Sequence, residues 1–181
     1  MWHPDKMSSH TAVTGPQGQH FAAIGLDDFL ESQIGHINKT IIDFVAAGLD
    51  EYDGLYAVVL DGVLTPEECR TLVQIAEYSA MHRPASSMPW ERAMVNVGGG
   101  MQIMAEDTRK CGRIIMDDQD IVDRLWKRVR DLVPELLELA NCPDVTGEGP
   151  AKRRETWRFT RLNERMRFLK YTEGEYFKRE P

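Results

Sequence analysis

The chain has 181 residues, 42% of them hydrophobic and 28% charged, with a formal net charge of −7. That length suits one domain of ordinary size, and no run of about 18 apolar residues is present to form a membrane-spanning helix. Charge is uneven, with net +5 on residues 151–181 and net −12 on residues 1–150. An acidic body argues against general nucleic-acid binding. The basic C-terminal stretch favours an anionic ligand or contact there, or is a set of solvated strand faces.

Residues 1–20 hold Ser8, Ser9, Thr11, Thr14, Gly15, Pro16 and Gly18 with few apolar residues, a composition expected to be disordered. The opening Met1-Trp2-His3-Pro4-Asp5-Lys6 lacks the apolar stretch of a secretory signal. Phe29, Ile34, Ile37, Ile41, Phe44 and Val45 recur at threes and fours, which predicts a helix over residues 21–47, ended by Gly48, and a helical N-terminal extension over 21–54. Leu55-Tyr56-Ala57-Val58-Val59-Leu60-Asp61-Gly62 is a β-branched run closed by a turn signal and predicts a buried strand. In Thr65-Pro66-Glu67-Glu68, a threonine that can cap precedes a proline fitted to the first helical position, and Glu68 can complete a capping box. The ensuing helix is expected to turn Cys69, Leu72, Val73 and Ala76 inward.

Pro84, Ser86, Ser87 and Pro89 mark a loop. Ala93–Val97 predicts a strand closed by Gly98-Gly99-Gly100. That triple glycine lacks the Gly-Lys-Ser/Thr of a phosphate loop and reads as a flexible turn. Arg113–Met116 predicts a short strand. Asp117 and Asp118 supply N-terminal charge for a helix carrying Ile121, Val122, Leu125, Trp126, Val129, Leu132 and Val133. Pro134 predicts a kink or a helical restart before Leu136, Leu137 and Leu139. Residues 141–150 read as a loop, and strands are expected near Thr156–Leu162 and Arg165–Tyr171. In the last of these, Arg165, Arg167, Leu169 and Tyr171 share one face, and Met166, Phe168 and Lys170 the other. Helices followed by strands, without an internal repeat, indicate an α+β fold.

Local chemistry is sparse. His3, His10, His20, His36 and His82 lack metal-ligand spacing such as H-x-x-x-H. Ser86 and Ser87 lack a nucleophile elbow, Cys111 has no neighbouring histidine to activate it, and Cys69 is expected in the core. Cys69, Cys111 and Cys142 are odd in number and form no C-x-x-C pair, which fits reduced thiols in a cytoplasmic or nuclear protein.

Three ordered stretches carry a family resemblance. Val58-Val59-Leu60-Asp61-Gly62-Val63-Leu64-Thr65-Pro66-Glu67-Glu68-Cys69 is similar to the strand, turn and helix that open prolyl 4-hydroxylase-like 2-oxoglutarate/Fe(II) dioxygenase domains. Arg109-Lys110-Cys111-Gly112-Arg113, with Asp117-Asp118 and Leu125-Trp126, resembles the segment before the long helix of that family. The most specific stretch runs from Leu162-Asn163-Glu164-Arg165-Met166-Arg167-Phe168-Leu169-Lys170-Tyr171 through Thr172-Glu173-Gly174-Glu175-Tyr176-Phe177-Lys178, and it resembles the approach to that family's iron site. The match covers about residues 56–178.

The resemblance implies a double-stranded β-helix (jelly-roll, cupin-like), incomplete here, with N-terminal helices packed on it. It implies a partial catalytic domain over residues 55–181 and C–H hydroxylation with Fe(II), 2-oxoglutarate and often ascorbate, the iron held by two histidines and a carboxylate with positions left open. It gives Tyr171 as a 2-oxoglutarate contact; read as a residue alone, Tyr171 serves equally as a core aromatic on a strand. The family's metal histidine falls near position 180, where Glu180 stands, and no His-x-Asp pair follows Lys178. The expectation is a fragment or inactive form, or alternatively a metal-free remnant that binds proteins. An incomplete barrel is expected to leave the Arg165–Tyr171 strand as an edge open to pairing with itself or another chain.

Overall fold

The computed structural model describes residues 2–4, 28–31, 35–83 and 88–178. Its strands are β1 (Trp2–Pro4), β2 (Asn38–Ile41), β3 (Val58–Asp61), β4 (Glu91–Arg92), β5 (Val95–Gly98), β6 (Met101–Ile103), β7 (Arg109–Lys110), β8 (Gly112–Asp117), β9 (Glu138–Ala140), β10 (Thr156–Phe159), β11 (Arg165–Lys170) and β12 (Tyr176–Phe177). Its α-helices are α1 (Pro66–Met81), α2 (Gln119–Val129), α3 (Pro143–Thr146) and α4 (Glu148–Lys152). Every strand pair is antiparallel, and among the described residues the strands form five small sheets with no closed barrel. The architecture is α+β. The chain divides into two compact units, residues 1–66 with 120–162, and residues 67–119 with 163–181.

In the first unit, β10 lies between β1 and β9, and β2 pairs with β3 from Asn38↔Asp61 to Ile41↔Val58. The amphipathic helix α2 buries Ile121 and Val122, and its Trp126 packs on Phe159 with ring centres 4.3 Å apart. The opposite chemistry of α2 is as important. Arg124 donates to the Phe29 carbonyl at 2.6 Å, and Arg128 donates to the Leu30 carbonyl at 3.0 Å and the Val63 carbonyl at 3.1 Å. Leu30 is buried with a left-handed φ of 65°, a conformation unfavourable for a leucine. Its burial and the guanidinium bond to its carbonyl hold it there. Lys39 Nζ meets Glu135 Oε1 at 2.9 Å, and the Tyr56 hydroxyl donates to Glu135 Oε2 at 3.0 Å. These bonds tie β2 to the 3-10 turn Pro134–Leu136.

Three expectations are corrected in this unit. The helix over residues 21–47 is replaced, in its described part, by turns at 28–31 and 44–48 and by β2 between them. Thr40, Ile41 and Ile42 form a β-branched run that suits a pleated strand, and β3 is there to pair with it. The restart at Pro134 is a single 3-10 turn, Pro134–Leu136, and the residues expected to extend it enter β9 instead. The loop expected over 141–150 contains α3 and the start of α4, with Pro143 at a first helical position. The disorder expected over residues 1–20 lies outside the described residues except at β1, which is a strand. His10, His20, Ser86, Ser87 and Glu180 also lie outside them.

In the second unit, α1 begins at the predicted capping segment and buries Glu68, Ile75, Ala76 and Ala80. The inward stripe is therefore rotated from the expected one: Cys69 and Val73 are exposed. The sheet order is β11-β8-β4. β8 is its centre, with Arg113, Ile114 and Met116 buried. Gly112 lets Trp90 pack close to the start of β8, since a Cβ there would lie 3.3 Å from Trp90 Cβ. Trp90 is fixed in turn by donating from Nε1 to Glu77 Oε1 at 2.6 Å. Gly98, Gly99 and Gly100 have φ of 94°, 58° and 78° and form the left-handed connection between β5 and β6 that side chains would strain.

Truncating Ile114, which is 1% exposed, to alanine is expected to cost about 2–5 kcal/mol of unfolding free energy in urea. Cys69→Ala, on the exposed face of α1, is expected to change it by less than about 0.5 kcal/mol. Equal effects at the two sites would contradict this placement of the core.

Candidate functional site

The ladder between β11 and β8 runs from Arg165↔Asp117 to Lys170↔Gly112. Its outer end is pinned by a two-bond fork, Arg165 Nε and Nη2 to the two Asp117 oxygens, each 2.8 Å. With register fixed, side chains alternate as the sequence requires. Met166 and Phe168 are half-buried, while Arg165, Arg167 and Leu169 are exposed. One further step along the antiparallel ladder sets Tyr171 across from Cys111.

Tyr171 is 44% exposed, so it is not a core aromatic. Its phenol is held above its ordinary ionisation range, first by local desolvation and then by the Cys111 thiol, with the Arg109 guanidinium acting in the opposite sense. Near neutral pH the hydroxyl is therefore protonated and able to donate. Cys111 is wholly buried and accepts a hydrogen bond from Arg109 Nε at 3.4 Å. A thiol closed off from solvent in this way is part of the wall and not an accessible nucleophile.

The chain after Tyr171 returns to the same place. Gly174, at φ 77°, makes the turn, and β12 then pairs with β7 at Tyr176↔Lys110 and Phe177↔Arg109. The Phe177 ring lies under the Arg109 guanidinium, 5.0 Å from ring centre to cation, a favourable cation–π geometry. The Tyr176 hydroxyl donates to the Glu106 carbonyl at 2.9 Å, and the Lys178 amide donates to the Thr108 carbonyl at 2.9 Å.

Glu175 clasps the return. It accepts from the Thr172 amide at 2.9 Å and from Arg92, and Arg92 Nε also stands 3.6 Å from Glu106 Oε1. The Thr172 amide first, and Arg92 second, hold the Glu175 carboxyl down at about 2.

This arrangement sets the Tyr171 hydroxyl beside the Cys111 thiol and the Arg109 guanidinium, on a frame fixed by two short ladders. A phenol hydroxyl and a guanidinium side by side can bind a carboxylate. Among the described residues no three His, Cys, Asp or Glu side chains gather as a metal-binding group. His36 is exposed, and His82 is exposed with its Nδ1 bonded to the Tyr78 carbonyl at 2.8 Å.

Of the residues singled out in the sequence, the structure brings Tyr171 and Cys111 together. Arg109 and Phe177 belong to the same cluster and were not anticipated as contacts. The i, i+2 spacing of Arg109 and Cys111 was a usable signal, since it puts both side chains on one face of an extended segment.

Comparison with protein-family models, curated proteins and solved structures finds no match to this chain.

Because Glu175 has its carboxyl lowered from 4.5 to about 2, the stability it contributes is complete above the ordinary glutamate range and is lost as pH falls through that interval. Urea midpoints measured between about pH 6 and pH 2 are expected to fall less steeply in Glu175→Gln than in the unaltered chain. Parallel curves would contradict the clasp.

Proposed function

We propose that the chain is a portion of a prolyl 4-hydroxylase-like 2-oxoglutarate/Fe(II)-dependent dioxygenase domain, with its strands belonging to an incomplete double-stranded β-helix. Tyr171 faces the 2-oxoglutarate carboxylate. The observation that carries this reading is the protonated hydroxyl of the partly exposed Tyr171, just past the end of β11 and beside Arg109. The order of elements supports it: β3, the Thr65-Pro66 turn and α1 fall where the first similar stretch calls for strand, turn and helix.

In such a domain iron supplies the oxidising power that hydroxylates a C–H bond. Among the described residues no ligand set for a metal gathers; the function proposed for the chain is oxoacid binding, without turnover. Tyr171 would donate its hydroxyl proton in a hydrogen bond to one carboxylate oxygen, and the Arg109 charge would favour the anion.

A second reading, a metal-free module that binds proteins by strand addition, is favoured by one feature. Among the described residues β11 pairs only with β8, leaving its other edge beside exposed Arg167 and Leu169. Such an edge can accept a further strand.

Calorimetric titration of the metal-free chain with 2-oxoglutarate is expected to show saturable binding. Loss of one hydrogen bond to a charged group in Tyr171→Phe is expected to weaken it about ten-fold. No binding, or equal binding by the variant, would contradict the assignment of Tyr171. Succinate release that depends on added Fe(II) would overturn the statement that these residues do not turn the oxoacid over. A dimer in sedimentation that is indifferent to 2-oxoglutarate would favour strand addition.

A further inference from the structure

In the stretch Asn141-Cys142-Pro143-Asp144-Val145-Thr146-Gly147-Glu148-Gly149-Pro150-Ala151-Lys152-Arg153-Arg154, Pro143 starts one short helical turn and Gly147 separates it from a second, so no single long helix forms. The first unit has an open cleft of about 590 Å³ along them, within the range of roughly 300–1,000 Å³ typical of small-molecule sites. Pro143 and Ala151 give the cleft an apolar part. Asn141, Glu148, Lys152 and Arg154 give it a polar part.

Two features of the wall point to a use for it. Arg154 follows the last turn of α4, where its amide donates to the Ala151 carbonyl at 3.0 Å and the next amide, of Glu155, donates to the Pro150 carbonyl at 3.0 Å. This is a helix-ending position with left-handed backbone, φ 56°, where glycine is the unstrained choice. The chain holds an arginine there instead. Asn141, at the other side of the cleft, is also left-handed, φ 54°. Of the three non-glycine residues with positive φ among those described, these two border the cleft. Asparagine tolerates this region, so the strain lies at Arg154, and such strain persists where a side chain is needed in place.

The second feature is charge. Lys152 is compensated by Glu148 at 3.2 Å, and Arg153 by Glu155 at 2.6 Å. No carboxylate among the described residues forms an ion pair with Arg154, so the cleft carries a surplus positive charge within a stretch that is basic as a whole.

We propose that this cleft is a binding site for a small organic anion, a carboxylate or phosphate on an apolar body, with Arg154 as its charged anchor and Pro143 and Ala151 against the apolar part. The site is independent of Tyr171 and lies in the other unit of the chain.

The test uses the full chain, phenyl phosphate and 3-phenylpropionate as probes, and 3-phenylpropanol as the neutral control. Saturable amide shifts within residues 140–154 are expected with at least one anion and not with the alcohol, and the stronger of the two identifies the head group. Arg154→Gly is expected to lower affinity at least about ten-fold while leaving the thermal midpoint unchanged or raised, because glycine relieves the backbone. Arg154→Lys is expected to keep part of the affinity.

The proposal is overturned by any of three results: no saturable shift with either anion, equal response to the alcohol, or unchanged affinity in Arg154→Gly. A lowered thermal midpoint in Arg154→Gly would also overturn it, because Arg154 would then be serving the fold.

Discussion

The six-pair ladder between β8 and β11 is the constraint on which the candidate site depends. β8 is central in its sheet and supplies Ile114 and Met116 to the core. A slip of one residue in β11 would turn Met166 and Phe168 outward and bring Arg165 and Arg167 inward, a large penalty for a half-buried strand. The Arg165–Asp117 fork marks the register at one end, and the close approach of Gly112 to Trp90 marks it at the other. Tyr171 stands opposite Cys111 as a consequence of that register.

Beyond the ladder, the chain is held by polar contacts and not by burial. The turn at Gly174, the Glu175 carboxylate between the Thr172 amide and Arg92, and the pairing of β12 with β7 together return the chain beside Arg109. Arg92 is exposed while the Glu175 side chain is 10% exposed, so the pair is only partly screened by solvent. Their effect is to define geometry around one hydroxyl. The first unit uses a different device: the arginines of α2 bind main-chain carbonyls of residues 29, 30 and 63, ordering segments that have no sheet of their own to join.

The parts of the fold legible in the sequence were those where a local rule and the tertiary context agree. Thr65-Pro66 started α1, Gly98-Gly99-Gly100 turned between two strands, and the alternation from Arg165 to Tyr171 described the real faces of β11. The helix expected over 21–47 failed at β2 because its apolar spacing fits two periods, and pairing with β3 decides between them. α2 ended at Val129, ahead of Pro134, and after the 3-10 turns that follow it the pairing of β9 with β10 chose strand. Cys69 misled for a narrower reason: a stripe misplaced by one residue on a helix moves about 100° around its axis.

At the site, the resemblance singled out Tyr171, and its exposure is consistent with a ligand-facing role. Arg109, Cys111 and Phe177 join it only through register and through the return of the chain after Gly174, which are non-local. Arg154 is legible only from its backbone angle, because nothing in an arginine marks left-handed geometry in advance, whereas Asn141 is a residue type that tolerates it.

The most direct test of the central claim is a 2-oxoglutarate titration of the full chain labelled at the ring carbon bearing the tyrosine hydroxyl, with Tyr171→Phe to assign its resonance among the five tyrosines. The expected result is a saturable shift at Tyr171 with the other four little changed. A shift spread evenly over all five, or none at Tyr171 at saturating oxoacid, would contradict the assignment.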